Sequence, residues 1–316
     1  MRLEEDSLEA PDIENAILGA LSPQAAQNCR ELGYSDSSLR REGLGRFRIN
    51  FHRERGRPAA SIRALPIRPP RFADLNLPKN VLGLTRIPYG LVLVGGPTGS
   101  GKSTTLAAFV DEINRRDSKH IITIEDPIEF EHPQHRSLVE QVEIGVDAPD
   151  FKTALRSALR QAPDVIVLGE MRDPETMQIA LAAGETGHLV FSTLHTGDVT
   201  STISRVADSF PLERQSSIHQ ELSMSLAAVL TQILLPRIGG GRVPAAELLM
   251  IGYGARQHIR KNSLQHLHQE ITITRSQGSF SLEQSLATLA QEKLITGEEA
   301  RGRTRHLDEL DSLLRG

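Results

Sequence analysis

The 316-residue chain predicts an α/β fold with a mainly parallel sheet, entered through a smaller N-terminal unit. Three observations carry this. Short apolar runs alternate with helical segments from Gly90 to His195. Those runs are continuously apolar, as strands buried on both faces must be. And a glycine-rich loop, "GGPTGSGKST", joins the first run to the first helix of the series.

The elements follow in order. Residues 11–35 carry apolar side chains at three- and four-residue steps and read as a helical segment. "LGRFRINFHR" (44–53) alternates with the period of a strand, and "AASIRALPI" (59–67) supplies another. Pro66, Pro69, Pro70 and Pro78 then forbid regular structure, which places a linker at about 68–80, between a first domain (1–75) and a second (80–316). In the second, "GLVLVGG" (90–96), "HIITIED" (120–126), "DVIVLGE" (164–170) and "HLVFSTLH" (188–195) are strands. "GKSTTLAAFVDEINRR" (101–116), "DFKTALRSALRQAP" (150–163) and "DPETMQIALAAGETG" (173–187) are the helices between them. Beyond Thr196 helices dominate, interrupted by two strands around the glycine turn of "LLPRIGGGRVPAAELLMI" (234–251). Leu282, Leu286, Leu289, Ala290 and Leu294 share one helical face, and Thr296 with Glu299 has the spacing of a helix cap.

Composition excludes several classes. No window approaches a membrane span, and the acidic N-terminus has no apolar core of the signal-peptide kind. A single cysteine, Cys29, allows neither an internal disulfide nor a four-cysteine zinc site, and a cytoplasmic location is expected. A net charge of −4 gives no electrostatic footprint for nucleic acid. Between Arg40 and Arg71, however, ten arginines face two glutamates, which reads either as a solvated basic face or as a phosphate-facing surface.

Gly96 to Ser103 fits GxxxxGK[ST] in the strand–loop–helix context the motif requires. Successive backbone N–H groups of Gly96, Pro97, Thr98, Gly99, Ser100, Gly101 and Lys102, proline excepted, can turn inward as an anion cradle at a helix N-terminus running into Ser103 and Thr104. Lys102 adds a point charge for the β- and γ-phosphates of a nucleoside triphosphate, and the Ser103 hydroxyl is a Mg²⁺ ligand candidate. "VIVLGE" delivers Glu170 to a strand end, and "TIEDPIEF" delivers Glu125, Asp126 and Glu129 to another, where a carboxylate can orient or deprotonate water. His188 and His195 bracket the last apolar strand; each reads as a structural group or as a sensor of the γ-phosphate.

Together "GPTGSGKST", "TIEDPIEF", "GEMRDPET" and "ETGHLVFSTLHT" resemble the P-loop, aspartate box, second acidic motif and histidine box of the secretion ATPase superfamily, the hexameric motors of type II secretion and type IV pili. "GRFRINFHRERGRPAASIRALP", "RIGGGRVPAAELLMI" and "GARQHIRK" (254–261, with Arg256, Ile259 and Arg260) resemble its PilT-like type IV pilus retraction ATPases in particular. The resemblance implies a RecA-like P-loop ATPase domain behind a small PAS-like α+β domain, here a copy that starts partway through the family's version. It implies ATP and Mg²⁺ as ligands, and a homo-hexamer acting on a pilus platform protein of the inner membrane, beside a paralogous pilus ATPase. It makes Glu129 the catalytic carboxylate, gives Glu170 and Ser103 the magnesium site, and sets His195 and His188 near the γ-phosphate. It makes Arg48 and Arg63 the N-domain arginines that reach a neighbouring subunit's nucleotide. Gly95 stands where the family commonly has Thr, and Tyr89 where it commonly has a charged residue. A pilus-extension or type II secretion ATPase of this superfamily usually carries a four-cysteine module, which this chain lacks. A regulatory paralogue with little hydrolysis is the remaining alternative.

Overall fold

The computed structural model describes residues 9–315, apart from Ala20 and Ser22. Two helices, α1 (Ala10–Leu18) and α2 (Pro23–Leu32), stand where the periodicity predicts a single helical segment over 11–35. A proline cannot sit inside a continuous helix without clashing with the carbonyl four residues back, but it is well placed to begin one. Three antiparallel strands follow in a meander: β1 (Ser35–Arg41), β2 (Gly45–Glu54) and β3 (Arg57–Leu65). The β2–β3 turn is Arg55-Gly56, both with positive φ, the conformation whose twist suits a two-residue hairpin. Ile49 and Phe51 alternate inward on β2 and bury against Ile17 and Cys29 of the helices.

Residues 66–89 form no strand, as the prolines require; two short 3-10 segments (Phe72–Leu75 and Lys79–Arg86) press Val81 and Leu84 into the next core. The large sheet that follows has seven strands. They are β4 (Gly90–Gly95), β5 (His120–Glu125), β6 (Leu138–Glu143), β7 (Val165–Leu168), β8 (Leu189–Leu194), β9 (Leu226–Pro236) and β10 (Arg242–Met250). Their spatial order is β10-β9-β4-β8-β7-β5-β6; every neighbouring pair is parallel except β9–β10.

Alternate residues of β4 feed two cores: Val92 and Val94 meet α3 (Lys102–Arg116), while Leu91 and Leu93 face the other side. That second face is covered by α4 (Phe151–Ala158), α5 (Pro174–Glu185), α6 (Val199–Asp208) and α7 (Leu212–Ser225). Asp150 and Asp173 cap α4 and α5 by accepting the N–H of Thr153 and Thr176, and α6 carries a reciprocal Asp198–Ser201 box. The chain ends in α8 (Tyr253–Arg260), α9 (Leu267–Ile273), α10 (Leu282–Gln291), α11 (Gly297–Arg303) and α12 (Leu307–Arg315); Thr296 caps α11 as its spacing predicts. Within "GARQHIRK", Ile259 is buried, and Arg256 donates to the carbonyls of Ser223 and Met224 at the C-terminus of α7, where a cation offsets the helix dipole. Among the described residues no helix is long and apolar enough to cross a membrane.

Candidate functional site

Because the central strands are parallel, the loops after β4, β5, β7 and β8 gather at one edge of the sheet, where α/β folds bind ligands. Those four loops carry most of the sequence-predicted residues. They open into a cavity of about 660 Å³ that the three-stranded N-terminal sheet covers from above.

The loop after β4 turns on glycine. At Gly96, φ is +154°, and a Cβ there would fall 2.5 Å from the carbonyl oxygen of Gln232, so no side chain fits. Gln232 of β9 pins the loop: its amide donates to Ser100 O at 2.7 Å and accepts from Thr105 Oγ1 at 2.9 Å. Lys102, buried at the start of α3, donates from Nζ to Gly96 O (2.8 Å) and Pro97 O (3.1 Å). Burial lowers its pKa, and the nearby Glu129 carboxylate works against that shift. Thr98, Gly99, Gly101, Lys102, Ser103 and Thr104 line the cavity; Gly96, Pro97 and Ser100 form the loop behind it.

Opposite Lys102 stand the carboxylates. Glu125 closes β5, accepting from Thr123 Oγ1 (2.7 Å) and Gln141 Nε2 (3.2 Å), and desolvation raises its pKa despite those bonds. Asp126 and Glu129 follow in the next loop and line the same cavity. Glu170, at the end of β7, is ion-paired with Arg172 and lies 3.3 Å from Nε2 of His195. His195 Nδ1 is 3.4 Å from the hydroxyl of Thr98. A carboxylate can only accept, so Nε2 carries a proton. Burial with the charges of Lys102 and Arg172 lowers the His195 pKa, which favours the neutral ring, and in that ring Nδ1 accepts from Thr98. A hydrogen-bonded path thus runs from the phosphate loop through His195 to Glu170.

Arg48 and Arg63 are direct cross-strand partners on β2 and β3, and both line the cavity. Arg48 grips Asp36 with two bonds (3.1 and 2.6 Å); that pairing chiefly raises its pKa, and Asp126 and Glu129 add to it. Both arginines face the cavity of their own chain, while the expected reach to a neighbouring subunit's nucleotide is a contact between chains. The structure corrects the expectation for His188. It lies at the start of β8, and the strand carries His195 about 20 Å away at the opposite edge of the sheet. His188 bonds instead to Ala183 O at 3.2 Å, holding the turn after α5.

Sequence reasoning missed Arg172, which sits inside the quoted "GEMRDPET" and bridges Glu170 and Asp126 (3.7 Å). It also missed Gln232, in a strand without a recognisable motif, and Arg242, inside the quoted "RIGGGRVPAAELLMI". Among the described residues, no group of three or more His, Cys, Asp and Glu side chains is placed to hold a metal ion by itself. The oxygen donors that line the cavity are hydroxyls, Ser103 among them, and the carboxylates of Glu125, Asp126, Glu129 and Glu170. Hard oxygen donors of this kind suit Mg²⁺, which keeps most of its waters and completes its shell with substrate phosphates.

Residues 74–277 match the type II/IV secretion system protein family. The type IV pilus retraction ATPase PilT of Pseudomonas aeruginosa is 42% identical over 295 residues, 93% of this chain and 86% of that protein. The twitching motility protein of Neisseria gonorrhoeae is 39% identical over 98% of this chain and 83% of its own length. Among solved structures, the pilus retraction motor PilT with bound ADP superposes with a TM-score of 0.86 at 45% identity, covering 95% of this chain and 85% of that one.

Proposed function

This chain belongs to the type II/IV secretion system protein family, as a PilT-like ATPase, and from that membership and its cavity we propose a Mg²⁺-dependent ATP-hydrolysing motor for type IV pilus retraction. The observation that carries the proposal is the meeting, in one cavity, of Lys102 and Ser103 with Glu129, Glu170, Arg48 and Arg63.

The roles follow from chemistry. The loop N–H groups and Lys102 hold the β- and γ-phosphates. Ser103 and Glu170 would hold Mg²⁺, which would supply positive charge to the phosphate oxygens. Glu129 orients a water and takes its proton as the new bond to the γ-phosphorus forms and the bond from that phosphorus to the β–γ bridging oxygen breaks. Arg48 and Arg63 meet charge on the transferring phosphoryl group, as arginine fingers do in other phosphate-loop hydrolases. His195 joins the phosphate loop to Glu170, so a change at the γ-phosphate position is felt at the magnesium carboxylate. Since both arginines ride on the N-terminal sheet, loss of the γ-phosphate removes part of what holds that sheet down. That is the elementary movement of the motor.

One relative is named a type IV pilus retraction ATPase and another a twitching motility protein; the working form we propose, on the resemblance of the motifs, is a ring of six chains. It would act from the cytoplasmic face on an inner-membrane pilus platform protein, beside a paralogous pilus ATPase. ATP turnover with Mg²⁺, measured against protein concentration on wild type and Glu129→Gln, tests this. Turnover that rises cooperatively with concentration and falls on the order of 10²–10⁴-fold in the variant is expected. ATP binding without turnover in the wild type refutes the autonomous motor.

A further inference from the structure

The catalytic loop has a support that no motif announces. β6 is the edge strand of the large sheet, and its side chains at 139, 141 and 143 point to one face. Val139 enters the core. Gln141 and Glu143 turn instead to the backbone of the loop that carries Glu129. Glu143 Oε2 accepts the Ile128 N–H at 3.1 Å. Gln141 donates to Phe130 O at 2.9 Å and accepts the His132 N–H at 2.8 Å. The chain is therefore held on both sides of Glu129, by two side chains spaced one strand repeat apart.

Glu143 also faces the N-terminal sheet. Its carboxylate accepts the Ser38 hydroxyl, at 2.9 and 3.1 Å to its two oxygens, and Arg46 Nη2 lies 3.9 Å away. Arg46 and Glu143 are both buried, and Arg46 with Arg40 also pairs with Glu131, two residues beyond Glu129. Arg46 and Arg48 lie on the same face of β2, so the surface that docks on Glu143 is the surface that brings Arg48 to the cavity.

We propose that Gln141 and Glu143 are positioning residues for Glu129, and that Glu143 makes this placement depend on docking of the N-terminal sheet. The inference rests on Glu129 being the water-orienting carboxylate. It gives the protein a way to hydrolyse only when the two sheets are closed, because the sheet that supplies Arg48 also completes the hydrogen bonds of Glu143.

Steady-state ATP turnover and binding of a fluorescent ADP analogue, on the full chain, test it with Glu129→Gln, Glu143→Ala, Gln141→Ala, Ser38→Ala and Ser38→Ala/Glu143→Ala in parallel. Glu143→Ala and Gln141→Ala should each lower kcat by roughly ten- to a hundredfold, the cost of a misplaced catalytic group, with the ADP-analogue Kd within about twofold of wild type. A merely structural role would lower Tm and weaken nucleotide binding together. Ser38→Ala should cost about two- to tenfold, the worth of one hydrogen bond, and should add nothing in the Glu143→Ala background. Gln141→Ala strands no buried cation, leaves Glu125 its bond from Thr123, and serves if Glu143→Ala does not fold. Turnover lost in Glu129→Gln but intact in folded Gln141→Ala or Glu143→Ala overturns the inference alone. Multiplicative losses in the double variant overturn the dependence on docking. Turnover intact in Glu129→Gln overturns the underlying reading and this inference with it.

Discussion

Gly95, the last residue of β4, stands directly before the phosphate loop, and the packing around it allows a sharp stability prediction. A Cβ there would lie 2.8 Å from Thr196 Oγ1, 2.8 Å from Thr202 Oγ1 and 2.9 Å from Thr231 Cγ2. None of the three can swing away freely. Thr196 and Thr202 share a hydroxyl hydrogen bond of 2.6 Å, Thr202 is fully buried, and Thr231 is 4% exposed. Gly95→Ala therefore inserts a methyl into a full site, costing about 1–3 kcal/mol. That range includes about 1 kcal/mol for the threonine bond if it breaks. The lower entropy of the unfolded chain returns about 0.4–1 kcal/mol. The net loss is about 1–2 kcal/mol, which at about 2.1 cal/mol/K per residue lowers the Tm of a 316-residue chain by roughly 1.5–3 °C. Thermal unfolding followed by circular dichroism measures it, together with Thr202→Ala and the double variant. Thr202→Ala removes one of the clashing oxygens, so the double variant should lose less than the two single losses summed. A Gly95→Ala protein as stable as wild type, or strict additivity, refutes the reasoning.

Two further outcomes follow from the site. Burial pushes the His132 pKa from 6.5 down to about 4, against the pull of Asp111, and its Nδ1 is buried without a partner. The unfolded chain takes up a proton near pH 6.5 that the folded chain refuses until about pH 4, so stability is full above 6.5 and falls as the pH drops towards 4, by at most about 3 kcal/mol. His132→Gln should flatten Tm against pH across that window; an unchanged slope sinks the assignment. Arg48→Ala should lower kcat by roughly 10–10³-fold, whereas Asp36→Asn, which leaves the cation in place but loosens its grip, should cost far less. Equal losses in both variants, in a turnover assay, would mean that Arg48 acts only through its pairing with Asp36.

What the sequence disclosed follows from burial. The parallel strands β4, β5, β7 and β8 are covered on both faces, so each reads as an unbroken apolar run, and the glycine loop is forced by backbone geometry that no other residue tolerates. β1, "SDSSLRR", has one apolar side chain of any size and exists because β2 pairs with its whole length. β6, "LVEQVE", is an edge strand whose polar side chains are spent on a neighbouring loop, so alternation is visible but reads as a solvated face. The family resemblance sets His188 beside His195 near the γ-phosphate, yet a parallel strand delivers only its C-terminal end to the edge where the phosphate loop lies. For the arginines, residue type points to a phosphate, while reach depends on how domains settle against one another.

That settlement bears on how the site handles charge. A triphosphate brings several negative charges to a cavity already lined by Glu125, Asp126, Glu129 and Glu170. The cations that would balance it are held in advance: Arg48 by Asp36, and Arg172 by Glu170 and Asp126. Lys102 rests on two loop carbonyls that lie beside the phosphate positions. Arg63 has no carboxylate partner among the described residues. Transferring an arginine from one carboxylate to a phosphate exchanges one anion for another, so the cation is never stranded in a low-dielectric site, where an unpaired charge costs several kcal/mol. The guanidinium stays oriented throughout, and little reorganisation is left for the moment of phosphoryl transfer. Asp36 is on the N-terminal sheet and Glu170 is on the large one. A nucleotide that draws Arg48 and Arg172 towards its phosphates therefore pulls on both domains at once, which is the requirement for turning the chemistry of one cavity into relative motion of two sheets.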